Sequence, residues 1–246
     1  MDSVASYHQL QNRIIRCRKC PRLVAWRERV AAEKVRRYQA EEYWGRPVPA
    51  FGEPAASLVI VGLAPAAHGA NRTGRLFTGD RSGQWLFEAL HRFGFANQPT
   101  SVGRDDGLRL QGCVISAALR CAPPANKPLR EELDRCRSYL RRELALLQSK
   151  RVIVALGRIA FAEVLKAWKE NGGEVPGSRT PVFRHAGEWN LPGSVVLIAS
   201  YHPSQQNTQT GRLTRPMFHA VFQRARLLLQ PQLRTAGGQT PRADCF

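Results

Sequence analysis

Four cysteines and a few polar side chains set the chemistry open to this sequence. Cys17 and Cys20 form a Cys-x-x-Cys pair beside Pro21, Cys121 follows a predicted strand, and Cys136 lies on the inward face of a predicted helix. Four thiolates brought together would bind either zinc or a [4Fe-4S] cluster, and the spacing alone does not choose. Taken singly, Cys121 and Cys136 would be ordinary buried cysteines acting as small apolar residues, with the Cys-x-x-Cys a coincidence. Cys113, inside a predicted strand, belongs to the core, and Cys245 reads as a spare exposed thiol.

The second group is a Gly-rich segment, residues 62–80, too long for a mere connector. It holds one carboxylate, Asp80, among several cations, and an aromatic face, Phe77. Its glycines let a backbone approach a ligand closely. No Gly-Lys-Ser/Thr follows at phosphate-loop spacing, which disfavours nucleotide hydrolysis. Asp80 could equally be the N-cap of a helix opening near Gly83, and Phe77 could be core. His202, in Tyr-His-Pro-Ser, falls at the carboxyl end of another predicted strand, and Asn126, in Pro-Pro-Ala-Asn-Lys-Pro, beyond a third. A histidine at a strand end is commonly structural, yet one followed by a polar loop in a basic protein can hydrogen-bond a ligand oxygen.

The elements that must position these groups follow from periodicity. Apolar, β-branched runs at Ser57–Leu63, Gly112–Ser116, Arg151–Leu156 and Val195–Ser200 read as strands buried on both faces. Helices are predicted at Gly83–Phe93, Glu131–Leu147, around Arg158–Trp168, and from Thr214, with Phe218, Val221, Phe222, Ala225 and Leu229 on its apolar face. Ahead of the core, Leu10, Ile14 and Cys17 share a helical face, and Pro21 opens a charged helix expected to reach about Trp44. Gly172–Pro192 reads as a Gly/Pro-rich connection. Strands separated by helices predict a three-layer α/β/α sandwich with a mostly parallel sheet of about four strands. In such sheets ligands bind beyond the carboxyl ends of the strands, where the three loops meet. We expect one domain over residues 1–230, including the N-terminal helical segment, and a disordered tail over 231–246.

The chain has 246 residues, 37 Lys and Arg against 19 Asp and Glu, and a net charge of +18. That charge is spread along the body of the chain and draws polyanions, nucleic acid first among them. No apolar run approaches a bilayer span and no signal-peptide order opens the chain, so a soluble, intracellular (cytoplasmic) protein is expected. Six cysteines then point to metal or redox chemistry rather than disulfides.

Together these motifs resemble the uracil-DNA glycosylase superfamily, and within it the iron-sulfur branch known as family 5. The resemblance spans nearly the whole chain: the Cys17/Cys20 pair, Gly-Leu-Ala-Pro-Ala, Asn-Arg-Thr-Gly-Arg-x-Phe-Thr-Gly-Asp, Leu-Arg-Cys-x-Pro-Pro-x-Asn, Cys136 and Tyr-His-Pro-Ser. It implies a [4Fe-4S] cluster on Cys17, Cys20, Cys121 and Cys136, structural in role and preferred over zinc. It further implies a catalytic carboxylate at Asp80, a donor at His202, and Asn126 to orient water or base. The base would be received by Phe77, Gly62, Ala64, Ala117 and His202. DNA would be met by Asn71, Arg72, Arg75, Ser204, Gln205, Asn207 and Arg212.

Related branches carry a polar or acidic residue where this chain has Leu63 and Ala64, and an asparagine where it has Ala117. A less polar pocket implies a broad range: uracil, hypoxanthine and modified pyrimidines. With no amine nucleophile in the motifs, the expected reaction is hydrolysis to an abasic site without strand cleavage, by a monomer acting in base excision repair. The rivals are a metal-bearing nucleic-acid-binding protein without catalysis, and a doubly wound enzyme acting on nucleosides or nucleotides.

Overall fold

The computed structural model describes residues 3–175 and 181–230; the expected tail at 231–246 lies outside them. The four predicted strands form as β2 (Leu58–Gly62), β3 (Cys113–Ala117), β4 (Val152–Leu156) and β6 (Val195–Ser200). They pair in parallel, β3 with β2, β2 with β4 and β4 with β6. Two short antiparallel strands extend the sheet to six, in the order β1-β3-β2-β4-β6-β5: β1 (Phe51–Gly52) on β3 and β5 (Glu188–Leu191) on β6. Each is too short, or too polar on its outer face, to signal itself by periodicity. β5 lies within the stretch expected to be only Gly/Pro-rich connection, and its Trp189 packs against Phe161 with ring centroids 4.7 Å apart.

Alternation along β2 and β4 sends successive residues to opposite faces. Leu58, Ile60, Val152 and Val154 meet helices α4 (Arg81–Arg92) and α8 (Arg215–Leu229) through Leu86, Phe87, Leu90, Phe218 and Phe222. Val59, Val61, Ile153 and Ala155 meet α5 (Arg130–Leu146) and α6 (Arg158–Glu170) through Leu140, Leu144, Phe161 and Val164. The middle strands are buried on both sides, which is why they read as continuous apolar runs. A third, smaller cluster joins α1 (Ser3–Ile15) and α2 (Pro21–Glu33) to α5 through Leu10, Ile14, Leu23, Leu119 and Tyr139, with Cys17, Cys20 and Cys121 packed against it.

α2 stops at Glu33, well short of the expected Trp44. Lys34 adopts φ 52°, ψ −173°, which ends the helical ladder, and the following residues form a 3₁₀ turn at Arg36–Tyr38. The remaining segment is held in place by backbone bonds from Trp44 to Arg72 (2.8 Å) and Gly45 to Asn71 (3.0 Å). Among the described residues no helix is long and apolar enough to cross a membrane.

Candidate active site

Gly62 closes β2 and pairs across the ladder with Ala117, the last residue of β3. A Cβ on Gly62 would lie 2.7 Å from Phe77 Cζ, so glycine is what lets the Phe77 ring stand over the strand end. Phe77 itself is 8% exposed and has φ 58°, a left-handed conformation rare for a bulky residue and worth roughly 1–3 kcal/mol of strain. Its carbonyl packs so closely on Gly83 that no side chain fits there.

That conformation is held by a clamp built on Arg75. Its guanidinium donates to Thr78 Oγ1 (3.0 Å), Ser101 Oγ (2.8 Å), the Arg104 carbonyl (3.0 Å) and Asp106 Oδ2 (2.6 Å). Asp106 also accepts backbone N–H bonds from Val102, Gly103 and Leu108. Burial would raise the Asp106 pKa, but Arg75 and these donors outweigh it and hold it below the usual carboxylate range. Gly79 N donates to Ser101 O at 2.9 Å, completing the tie between residues 75–80 and 101–108.

Asp80 is indeed the N-cap of α4, its Oδ1 accepting from Gly83 N at 2.8 Å. This does not use up the carboxylate. Its Oδ2 faces Gly69, where a Cβ would come within 2.7 Å. Burial raises the Asp80 pKa, against the opposing pull of the Gly83 and Ser82 backbone N–H groups.

His202 follows β6 and stacks on Phe77, with centroids 5.9 Å apart and planes at 27°. Burial depresses its pKa to about 4, so the ring is neutral at neutral pH. Asn207 Nδ2 donates to the His202 carbonyl (2.9 Å) and Ser204 Oγ caps α7 (Gln205–Gln209) by accepting from Asn207 N (3.4 Å). His202 also borders a cleft at the ends of β2, β4 and β6, lined by Leu63, Gly157, Tyr201, Asn207 and Arg212 among others. Asn126 sits exposed on the turn after β3, with φ 55° following Ala125 at φ 52°.

The structure therefore gathers Gly62, Ala117, Phe77, Asp80 and His202 at the carboxyl end of the sheet. It places Ala64 against the cysteine-bearing cluster. Gln205 and Arg212 are exposed, whereas Asn71, Arg72 and Arg75, expected to meet DNA, are 0%, 6% and 5% exposed. Arg72 pairs with Glu41 and donates to His68 O, Asn71 donates to Arg27 O, and Arg75 forms the clamp. Their donors are committed to partners elsewhere in the fold, among them Glu41, Arg27 O, Ser101 and Asp106, because buried polar groups must be satisfied within the protein. Sequence reading missed Thr78, Ser101 and Asp106; only the density of Gly and Asp in 101–107 hinted at a structured turn.

Cys17, Cys20, Cys121 and Cys136 line a single small cavity, together with Arg120, Arg135, Lys19 and Tyr139. As free thiols Cys121 and Cys136 are pushed up to about 12, chiefly by burial and further by their neighbouring cysteines. Among the described residues, no three His, Cys, Asp or Glu form a tight group of the kind that holds a single ion.

The fold is a mostly parallel α/β/α sheet whose rim presents an aromatic face, a neutral imidazole and a half-buried carboxylate in a strongly basic chain. The sequence profile of the "Uracil DNA glycosylase superfamily" matches residues 49–226, and the chain belongs to that superfamily. It is 52% identical over 212 residues to a type-5 uracil-DNA glycosylase of Thermus thermophilus, covering 86% of this chain and 93% of that one. A type-5 enzyme of Pyrobaculum aerophilum is 47% identical over 219 residues, 89% and 92% of the two chains. A type-4 uracil-DNA glycosylase of the same organism is 33% identical over 187 residues, 74% of this chain and 81% of that one.

Proposed function

We propose that this protein is a monofunctional uracil-DNA glycosylase that hydrolyses the bond between the base and its deoxyribose, leaving an abasic site for base excision repair. The observation that carries this reading is the Phe77 ring, seated against Gly62, faced by neutral His202 and followed three residues later by half-buried Asp80.

A base inside a duplex must leave the stack, at a cost of roughly a few kcal/mol that is least at a mispair such as uracil opposite guanine. Phe77 and His202, 5.9 Å apart, are closer than the about 7 Å that a base lying flat between two rings requires. The base therefore stacks on Phe77 while His202 meets it edge-on, the orientation in which an imidazole N–H donates to a carbonyl oxygen. Being neutral, His202 gives that hydrogen bond without giving up a proton, and the bond strengthens as the departing base gains negative charge. Asp80 balances the cation-like sugar and directs water to it, and Asn126 assists in orienting water or base.

The small side chain at Ala117 leaves the pocket with few fixed donors, which favours removal of hypoxanthine and modified pyrimidines as well as uracil. DNA is met through Ser204, Gln205, Asn207 and Arg212, and the protein acts as a monomer. Cys17, Cys20, Cys121 and Cys136 fit a [4Fe-4S] cluster: four thiols surround one cavity, with the idle donors of buried Arg120 in its lining. When bound, the cluster supplies a cross-link between the α1–α2 junction, the loop after β3 and α5, away from the reacting base.

The test is a duplex carrying one uracil opposite guanine, incubated with the protein and then with alkali to cut abasic sites. Cleavage by the wild type that disappears in Asp80→Asn, with DNA binding kept, supports the reading; DNA binding with no base released from uracil or hypoxanthine duplexes overturns it in favour of a non-catalytic binding module.

A further inference from the structure

α2 starts from Cys20 at its N-cap and places Leu23, Val24 and Arg27 at helical spacing behind it. Leu23 and Val24 line the cysteine cavity. One turn further along that stripe, where burial calls for an apolar residue, stands Arg27, 2% exposed. Its Nε and Nη1 have no hydrogen-bond partner among the described residues, and the carboxylate paired with it, Glu28, lies 3.5 Å from Nη2 on the exposed side of the helix. A guanidinium stays charged at any physiological pH, so a buried one with idle donors is among the most destabilising arrangements a fold can hold.

Arg120 repeats the pattern from the other side of the cavity. It is 1% exposed, its Nη2 is taken by Glu143 and Ser116, and its Nε and Nη1 are again without partners among the described residues. Arg120 thus lines the cysteine cavity itself, and Arg27 stands one helical turn beyond Leu23 in its wall. Four thiolates contribute more negative charge than a zinc ion or an iron-sulfur core returns, so the bound centre is net anionic.

We infer that Arg27 and Arg120 are the counter-cations of an anionic four-cysteine centre, and that Arg27 is tolerated inside the protein only because that centre is there. The inference rests on the cofactor reading above. It makes Arg27 a positioning residue for the centre, with opposite effects on the loaded and the empty protein. Arg27 carries the test, because removing Arg120 would strand buried Glu143.

The experiment uses the full chain purified without oxygen, as wild type, Arg27→Met and Arg27→Lys. Iron, zinc and sulfide content are measured first, then the rate at which a chelator strips the centre, then the melting temperatures of the loaded and stripped forms. Arg27→Met should lose the centre about 10- to 100-fold faster than wild type. Once stripped, it should melt about 4 °C or more above stripped wild type, since a buried charge with two idle donors is gone. Arg27→Lys, which keeps a charge, should retain the centre nearly as wild type does. If Arg27→Met keeps the centre at the wild-type rate, or destabilises loaded and stripped forms alike, Arg27 is a packing residue and the inference fails. A wild type holding neither iron nor zinc would instead sink the cofactor reading, before any variant is compared.

Discussion

Asp80 caps α4, and the catalytic role proposed for it can be separated from that cap by experiment. Asparagine caps a helix about as well as aspartate, so Asp80→Asn keeps the bond to Gly83 N while removing the charge. Uracil release should fall by about 10²- to 10³-fold in single-turnover assays at unchanged DNA affinity. Stability should move the other way. Burial raises the Asp80 pKa, so ionisation above that pKa weighs against folding, and the penalty vanishes once the pH falls below the ordinary value. Asp80→Asn should therefore melt above wild type at neutral pH, with the difference closing in acid; a variant less stable at pH 7 would contradict the raised pKa.

His202 gives a complementary window. Its pKa is depressed from 6.5 to about 4, so between those values the unfolded chain takes up a proton that the folded ring refuses. Stability should fall as pH drops through that window, by about 3 kcal/mol at most, and His202→Gln should flatten this part of the profile in thermal melts. His202 was visible in the sequence as a polar group at a strand end, and Asp80 as the one carboxylate of a long Gly-rich loop. What the sequence left open was Asp80 as cap or catalyst, because the two uses share one position and differ only in which oxygen is engaged.

The elements around the site show why some of it could not be read in advance. The four parallel strands are legible because burial on both faces writes an apolar run, and α4, α5, α6 and α8 because each has one apolar stripe. The edge strands β1 and β5 and the early end of α2 depend on backbone pairing and a positive φ at Lys34, which leave no hydrophobic period. The Arg75 clamp was hidden for a related reason: an arginine in a Gly-rich loop of a basic protein looks like a phosphate contact until its partners in another loop are seen. The two roles predict different losses. In Arg75→Lys one ammonium cannot span Thr78, Ser101, Arg104 and Asp106. Base release should drop by about 10- to 100-fold, since a displaced Phe77 and Asp80 misalign the reaction, with DNA affinity within twofold and the salt dependence unchanged. Arg75→Met, which strips Asp106 of its cation, should cost about 3–5 kcal/mol in urea denaturation. Weakened DNA binding with normal turnover would restore Arg75 to the DNA contacts.

For the whole molecule, the charge of +18 overstates what DNA can feel. Arg27, Arg72, Arg75 and Arg120 are inside, each with an ion-pair partner in this chain (Glu28, Glu41, Asp106 and Glu143), and Arg137 is held by Asp134, Glu163 and Glu170 between α5 and α6. Arg158 and Arg212 differ: both are exposed, neither has an ion-pair partner among the described residues, and each lies over an aromatic ring beside His202, Phe183 at 5.9 Å and Tyr201 at 4.7 Å. Cations left unpaired next to the reacting rim are the ones free to neutralise phosphates. Each phosphate neutralised releases counterions and adds about 0.9 to the slope of log K against log salt on duplex DNA. Arg158→Ala and Arg212→Ala should each reduce that slope by about 0.9 and weaken binding to uracil-containing and undamaged duplexes alike. Arg137→Ala should leave the slope untouched while lowering stability, because its charge is spent between two helices. Fluorescence anisotropy titrations across a series of salt concentrations measure all three. A slope that falls equally for Arg137→Ala would mean that net charge, and not its placement at the sheet's carboxyl end, is what holds the DNA.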